Sequence, residues 1–152
     1  MLDDIDMAIL DLLQKNGRTR RNDLALAVGL SIPSISERLR KLEEHDIIKG
    51  YTTILNSKKM GKDITAFITV TVDSSKHYPS FLEHAQANEE ILEVHSITGS
   101  GTHLIKIRTE NTASLEKLLS KIQAWSGVFN TSTSVVLSTF KETTNLKINK
   151  TK

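Results

Sequence analysis

The sequence contains no cysteine, which excludes disulfide bonds and metal sites with thiolate ligands. It also lacks any apolar run near the roughly 20 residues that a helix needs to cross a bilayer. The N-terminal residues MLDDID provide neither the basic start nor the apolar stretch of a signal peptide. We therefore expect a cytoplasmic protein without a membrane partner.

The composition that remains is typical of a folded protein. Of the 152 residues, 38% are hydrophobic and 25% are charged, so disorder is not the default expectation. The net charge of +2 is too small to indicate a nucleic-acid partner by itself. Its distribution says more, because acidic residues crowd the first predicted helix whereas the segment that follows it is rich in Arg and Lys.

The apolar periodicity of the first 55 residues predicts three helices and a short strand. Residues 3–16 carry apolar side chains at i, i+3, i+4, i+7 and i+8, which indicates a helix with one buried face. A second helix is predicted over residues 22–28, with Thr19 or Asn22 as its cap, and the β-branched residues 47–55 predict an extended strand. With the third helix described next, this order predicts a winged helix-turn-helix domain.

The third predicted helix follows a short turn and has a well-marked start. Ser31 is a good N-cap, and Pro33 in the first turn sacrifices no intrahelical hydrogen bond. Ile35, Leu39 and Leu42 recur at i, i+4 and i+7, which leaves polar and basic side chains on the other faces. Many surface helices share this pattern, but its place after a helix and a turn favours a helix that reads DNA.

A change of periodicity divides the chain. We predict a DNA-binding domain of residues 1–55, a polar linker of residues 56–62, a second domain of residues 63–140 and a basic tail of residues 141–152. For the tail we favour disorder over a nonspecific attraction to DNA. The second domain is predicted to contain strands at 64–72, 91–97, 103–109 and 129–140, with one helix around Phe81 and another around Leu118.

The order βαββαβ predicts a ferredoxin-like domain, so the whole chain falls in the α+β class. Two helices would cover one face of a four-stranded antiparallel sheet and leave the other face open. Phe67 and several threonines of the first strand lie on that open face, which is too apolar to remain fully hydrated. We therefore predict a homodimer joined through these sheets.

Short motifs spread over nearly the whole chain identify a family. They are Leu2-Asp3, Ile5-Asp6, Ile9-Leu10, Leu13-Gln14, Gly17-Arg18, Leu24-Ala25, Val28-Gly29-Leu30-Ser31, Arg38, Leu42-Glu43, Ile47-Ile48, Gly50-Tyr51, Gly61 and Thr98-Gly99. In these motifs the chain closely resembles the leucine-responsive regulatory protein and AsnC (Lrp/AsnC) family, the feast/famine transcriptional regulators. The resemblance implies a helix-turn-helix that binds double-stranded operator DNA, and a ligand-sensing domain that forms homodimers and often octamers of four dimers.

The candidate DNA contacts fall into two groups. Ser34, Glu37 and Arg38 lie in the first half of the third helix and are candidates for base contacts, since Arg can pair with guanine and Glu can accept from cytosine. Arg38 could instead hold the helix to its domain, an alternative that stays open. The remaining candidates position the helix or contact phosphates: Arg18, Arg20, Arg21, Ser31, Pro33, Arg40, Lys41 and Lys49.

The chain departs from the family pattern at three places. Arg20 stands where the second helix usually starts with a small hydroxyl residue, and Asp46 stands where a glycine usually follows the third helix. The third departure is in the loop that the resemblance implies as the effector site: Thr98, Gly99, Ser100, Gly101, Thr102 and His103. Many members carry an aspartate there that suits an amino-acid ammonium, whereas this loop has no acid, which weakens the case for a free amino acid.

The sequence gives little support to other chemistry. His95 and His103 lie near opposite ends of one predicted hairpin, but no further ligand completes a metal site, and no nucleophile has a base and an orienting acid at a known spacing. We predict a transcriptional regulator that is neither an enzyme nor dependent on a cofactor, with an amino acid or other small metabolite as the candidate effector. Two alternatives remain: an architectural protein that wraps DNA with low specificity, and a metabolite-binding module that acts on an enzyme.

Overall fold

The computed structural model describes residues 1–149, which divide into two compact units. The first unit consists of Met1–Ile54 together with the C-terminal segment that begins at Lys141, and the second consists of Leu55–Phe140. Within the described residues, no helix has the length and apolar character needed to cross a membrane.

Three helices form the first unit: α1 (Asp4–Lys15), α2 (Arg21–Val28) and α3 (Ile32–Glu44). Their apolar faces meet in a small core whose buried members are Ile9, Leu24, Ala25, Ile35, Leu39 and Leu42. The three buried residues of α3 are those that the sequence spacing predicts. The start of α1 is fixed by a reciprocal pair of hydrogen bonds, in which Asp3 Oδ1 accepts from the Asp6 amide at 2.7 Å and Asp6 Oδ2 accepts from the Asp3 amide at 3.2 Å.

The structure assigns no strand to residues 47–55, contrary to the sequence prediction. The amides of Ile47 and Ile48 instead donate to the Leu42 carbonyl at 2.9 and 3.0 Å and close the C-terminal end of α3. The apolar side chains farther along this segment, Ile54 and Leu55, are exposed. A strand requires a hydrogen-bonded neighbour, and none of the described residues pairs with this segment.

The second unit has the predicted order of elements. It contains β1 (Ile64–Val72), α4 (Tyr78–Ala87), β2 (Ile91–Ser96), β3 (His103–Thr109), α5 (Thr112–Gln123) and β4 (Val128–Val135), with a short 3₁₀ turn before α4. The strands form one antiparallel sheet in the order β2-β3-β1-β4, which confirms the ferredoxin-like plan. The last strand ends at Val135 rather than near residue 140.

Both helices of this unit cover the same face of the sheet. Phe81 from α4 and Leu118 and Ile122 from α5 share one apolar core with the inward side chains of β1 and β3. The opposite face carries Phe67, which is 39% exposed, beside its β3 partner Lys106. The alternation predicted for β1 is therefore present, with one buried face and one open face.

The C-terminal segment makes a defined contact with α1. Gln14 Nε2 donates to the Leu146 carbonyl at 2.9 Å, and Gln14 Oε1 accepts from the Leu146 amide at 2.6 Å. Two hydrogen bonds between a side-chain amide and one backbone residue give Leu146 a specific partner, unlike the disordered tail that we favoured from the sequence. The last part of that predicted tail, residues 150–152, lies outside the described residues.

Candidate nucleic-acid interface

The start of α3 is capped as the sequence predicts. Ser31 is the N-cap, with extended backbone, and its Oγ accepts a hydrogen bond from the Ser34 amide at 3.3 Å. Pro33 occupies the first turn, where its missing N–H costs no helical bond. Ser31 and Pro33 therefore set where α3 begins, and Ser34 lies in its first turn.

The start of α2 lacks such a cap. Arg20 is the N-cap residue and makes no side-chain capping bond, which agrees with the departure noted in the sequence. Neither predicted cap is used: Asn22 lies inside the helix, and the Thr19 hydroxyl donates to the Asn16 carbonyl at 2.6 Å. The amides of the first turn of α2 thus remain without a side-chain acceptor from the described residues, beside two exposed arginines, Arg20 and Arg21.

Two residues bend the chain around α3. Gly29 closes α2 with φ at 71°, a left-handed conformation that glycine adopts without steric cost, and thereby forms the turn between the two helices. Asp46, two residues beyond the end of α3, adopts φ at 57° and is the only non-glycine residue with positive φ among those described. Asp46 therefore adopts the left-handed backbone conformation at a position where the family usually has glycine.

Arg38 is engaged inside the first unit. Its Nη1 donates to Asp3 Oδ2 at 2.7 Å and to Asp6 Oδ1 at 2.8 Å, and its side chain is 26% exposed. The pKa of Asp3 is lowered, chiefly by the hydrogen bond from the Asp6 amide and then by the hydrogen bond from the Arg38 guanidinium. The geometry supports the alternative left open by the sequence, in which Arg38 ties α3 to the N-terminal end of α1.

Arg40 is also held by acidic neighbours, both on its own helix. Its Nη2 lies 2.6 Å from Glu37 Oε1, and its Nη1 forms an ion pair with Glu44. These bonds raise the pKa of Arg40, and the hydrogen bond from Arg40 lowers the pKa of Glu37. The Lys41 ammonium is more distant, 3.9 Å from Glu37 Oε1. Glu44 was missed in the sequence, although its i+4 spacing from Arg40 is a recognisable signal.

The other four candidate cations differ in this respect. All are exposed, and none forms an ion pair with any of the described residues: Arg18, Arg20, Arg21 and Lys49. The structure therefore sorts the basic residues of the predicted interface into an engaged set on α3 and an unengaged set on the segments before and after it. An unengaged cation can bind phosphate without first losing a partner.

The predicted effector loop is a tight connection between β2 and β3. Gly99 and Gly101 have φ at 91° and 81°, and a Cβ on Gly101 would lie 2.4 Å from the Thr69 side chain. The Thr102 hydroxyl is 3.2 Å from the Val70 carbonyl and accepts from the Val72 amide at 3.0 Å. Thr102 and Gly101 thus fix the loop to β1, and the exposed members are Thr98, Gly99 and Ser100.

His103 belongs to the core rather than to the surface of this loop. It is 1% exposed, and its ring centroid lies 4.8 Å from those of Tyr78 and Phe81. Burial lowers the pKa of His103, because the apolar surroundings disfavour the charged ring. His95 points to the open face of the sheet, where Glu93 binds it at 2.9 Å, so the two histidines do not meet. Among the described residues, no cluster of metal-ligating side chains occurs.

A helix-turn-helix with a capped reading helix, joined to a ferredoxin-like domain, defines the class of the protein as a DNA-binding transcriptional regulator rather than an enzyme. Family models agree with both parts. The winged helix-turn-helix DNA-binding model matches residues 2–49, and the Lrp/AsnC ligand-binding-domain model matches residues 65–146. The chain belongs to the Lrp/AsnC family.

Similar proteins extend over almost the full chain. The HTH-type transcriptional regulator FL11 of Pyrococcus abyssi is 38% identical over 147 residues, 97% of each chain. The leucine-responsive regulatory protein of Escherichia coli is 35% identical over 150 residues, 97% of this chain and 92% of that one. Among solved structures, E. coli AsnC has a TM-score of 0.88 at 31% identity, covering 95% of this chain and 98% of that one. The regulator NMB0573 of Neisseria meningitidis, in complex with L-methionine, has a TM-score of 0.92 at 28% identity, covering 98% of each.

Proposed function

We propose that this regulator recognises a specific operator through α3 and gains most of its affinity from the cations that flank α3. The observation that carries the proposal is the sorting of basic residues in the first unit. Arg38 and Arg40 have acidic partners, whereas four exposed cations form no ion pair within residues 1–149: Arg18, Arg20, Arg21 and Lys49. Phosphate contacts supply affinity without reading sequence, so the unengaged set forms the phosphate-binding group.

The start of α2 supports the same assignment. Its first-turn amides lack a side-chain acceptor, and a helix N-terminus with free amides favours an anion such as phosphate. Arg20 and Arg21 stand at this end of the helix, so two cations and the helix dipole act on the same phosphate region. In place of the capping hydroxyl that is usual in the family, this chain has Arg20, whose charge can contact a DNA phosphate.

Base contacts in this proposal come from Ser34 and Glu37. Both lie on the first half of α3, away from its buried residues, and Glu can accept a hydrogen bond from the amino group of cytosine. Arg38 acts as a positioning residue that fixes the angle of α3 through Asp3 and Asp6. Lys41 and Arg40 then contribute smaller phosphate contacts, since Glu37 and Glu44 offset part of their charge.

The second part of the proposal is a homodimer, with the family's octamer of four dimers as its larger assembly. The helices cover only one face of the sheet, and the open face carries Phe67, with Phe129, which is 79% exposed, on the neighbouring strand β4. A second copy would cover these side chains and would present two α3 helices to half-sites about one DNA turn, or a multiple of it, apart. A cytoplasmic location belongs to the same proposal, because the bacteria and archaea that contain its relatives keep their DNA there.

The third part is the effector. We infer an amino acid or a related small metabolite, supported by the Lrp/AsnC ligand-binding-domain match and by the L-methionine complex of the Neisseria regulator. In the loop predicted as the effector site, only Thr98, Gly99 and Ser100 are exposed, and none of the loop's residues is acidic. An ammonium bound there would rely on hydroxyls and backbone carbonyls.

DNA affinity measured at several salt concentrations tests the sorting of cations. The operator is first selected from random DNA, and binding of the wild type is compared with that of Arg21→Gln and of Arg40→Gln as the matched control. Loss of one phosphate contact reduces the slope of log K against log salt by about 0.9, which we expect for Arg21→Gln. For Arg40→Gln we expect a smaller change, because its charge is already paired.

Two results would contradict the proposal. Equal slopes for the two variants would show that pairing on α3 does not decide which cations bind phosphate. An affinity for the selected operator equal to that for random DNA of the same length would instead favour an architectural protein. Light scattering coupled to size exclusion tests the dimer separately, and a monomer at micromolar concentration would exclude it.

A further inference from the structure

The first turn of α3 exposes an apolar side chain. Ile32 is 46% exposed, and apart from Ile32 and its neighbour Pro33, every exposed residue of α3 is charged. Ile32 does not belong to the apolar core that the described residues of the first unit form, whereas Ile35, the next isoleucine of the helix, is fully buried in that core. Packing of the core therefore does not account for an isoleucine at position 32.

The geometry of α3 places Ile32 beside the candidate base contacts. With about 3.6 residues per turn, Ile32 and Ser36 stand one turn apart on the side of the helix between its buried stripe and Glu37. The first turn is fixed by the Ser31 cap and by the Ile35 amide, which donates to the Ser31 carbonyl at 3.1 Å. A helix-turn-helix contacts base edges with the N-terminal residues of its second helix, and here those residues begin with an apolar group.

The chemistry of the side chain limits what it can contact in the major groove. Ile32 has no polar side-chain atom, so it forms no hydrogen bond with a phosphate or with the edges of adenine, guanine and cytosine. The apolar group that the bases display in this groove is the C5-methyl group of thymine. A β-branched side chain is also stiff about χ1, so Ile32 loses less rotamer freedom on contact than a lysine or an arginine would.

We propose that Ile32 is a specificity-determining residue that packs against the C5-methyl group of a thymine in each half-site of the operator. This inference rests on the proposed function, in which α3 reads an operator, and it adds an apolar contact to the polar contacts of Ser34 and Glu37. The cations that flank α3 attract any DNA, whereas Ile32 distinguishes thymine from the other three bases. Burial of one methyl group corresponds to about a fourfold gain in affinity.

Replacement of thymine by deoxyuridine tests the contact, because it removes the C5-methyl group and keeps the hydrogen-bonding groups of the base. The operator is selected from random DNA with the full chain, and its thymines are then replaced one at a time. We expect a thymine position at which the replacement weakens wild-type binding about fourfold. Ile32→Ser should weaken binding to the unmodified operator to a similar extent and should abolish the effect of the replacement, whereas Ile32→Val should retain it.

Two further measurements separate a base contact from other roles. The slope of log K against log salt should be the same for Ile32→Ser as for the wild type, because the variant loses no phosphate contact. Leu26→Ala is the matched control, since Leu26 is an apolar residue of α2 that is 75% exposed, and this variant should keep the methyl effect. Thermal unfolding verifies that both variants, which alter exposed side chains, remain folded.

Three results would overturn the assignment. One is an operator at which no deoxyuridine replacement weakens wild-type binding, and another is a methyl effect that survives unchanged in Ile32→Ser. The third is a change in the oligomeric mass of Ile32→Ser by light scattering with the methyl effect retained, which would assign Ile32 to a contact between copies.

Failure of this inference is distinguishable from failure of the proposed function. Preference for the selected operator without any methyl effect would reject the role of Ile32 and leave the proposed function in place. Equal affinity for selected and random DNA would reject both.

Discussion

The two units of the chain are stabilised in different ways. The DNA-binding unit has six buried apolar residues in its core, and its helix ends and helix contacts carry capping bonds and ion pairs. The second unit buries ten residues in one cluster around Phe81 and adds three antiparallel strand pairings. The difference indicates that salt, which screens ion pairs, affects mainly the first unit, whereas loss of apolar volume affects mainly the second.

The DNA-binding unit gains from this arrangement. A larger core would need more apolar surface on helices whose outer faces must remain polar for DNA. Asp3 instead serves twice, as the N-cap of α1 and as a partner of Arg38 on α3, so an ion pair adds to the apolar contact between these helices. Among the described residues, Arg18, Arg20 and Arg21 form no ion pair, which is the basis for proposing them as phosphate contacts.

Truncation of the larger core should have the greatest effect on stability. Phe81 is fully buried and touches the rings of His103 and Trp125, so Phe81→Ala should lower the free energy of unfolding by about 3–5 kcal/mol. Trp125 is the only tryptophan, and its fluorescence in urea therefore reports on this unit. Phe140→Ala is the control, since that side chain is 97% exposed. A loss below about 1 kcal/mol for Phe81→Ala would contradict the assigned core.

Lowering the pH should destabilise the second unit before the first. Burial lowers the pKa of His103 below its ordinary 6.5, so the unfolded state binds a proton at a higher pH than the folded state does. The contribution of neutral His103 to the free energy of unfolding is therefore complete above about pH 6.5 and falls as the pH drops below it. The pKa of Asp3 is also lowered, so its contribution is present above about pH 4 and is lost below that.

Unfolding by urea at a series of pH values measures this order. As the pH is lowered, the stability reported by Trp125 fluorescence should fall first. Hydrogen exchange of the α1 amides should increase only below about pH 4. His103→Gln should remove the first dependence and Asp3→Asn the second, with Asp4→Asn as the control for a first-turn acid outside the Arg38 contact. Simultaneous loss of both signals near pH 6 would show that the difference between the units does not govern acid unfolding.

A capping residue introduced at the start of α2 should raise the stability of the first unit and lower its affinity for DNA. Arg20→Ser supplies the missing side-chain acceptor and should raise the free energy of unfolding by about 1 kcal/mol. It also removes one of the unengaged cations, so operator binding should become weaker and less dependent on salt. Arg20→Gln, which removes the charge without adding a cap, is the matched control. Unchanged operator affinity in both variants would remove Arg20 from the phosphate-binding group.

The smallest effect should come from the C-terminal contact. Gln14→Ala removes both hydrogen bonds to Leu146, which are exposed, so the free energy of unfolding should fall by about 1 kcal/mol or less. Amide exchange at Leu146 should nevertheless rise clearly, because its N–H loses its acceptor. Gln123→Ala, which removes a side-chain contact to Thr131 in the other unit, should leave exchange at Leu146 unchanged. Protection of Leu146 that persists in Gln14→Ala would contradict the contact.

Local patterns predicted most of the secondary structure. The Ser31 cap, the three buried positions of α3 and the alternation of β1 depend on residues only a few positions apart, and each is present in the structure. The strand expected over residues 47–55 failed for a physical reason: β-branched residues favour extended backbone, but a strand exists only where a neighbour provides hydrogen bonds. His95 and His103, which the sequence places near one hairpin, lie on opposite faces of the sheet because they occupy adjacent register positions.

The sequence by itself determined the Ser31 cap of α3, the order of elements in the second unit and the family, because each depends on short-range spacing and residue type. Only the tertiary structure decided what the charged residues do. Arg38 meets Asp3 and Asp6 across 35 and 32 positions. A side chain's charge is fixed by its type, but its partners depend on the packing of distant segments, so the residues available to DNA became identifiable only in the folded chain.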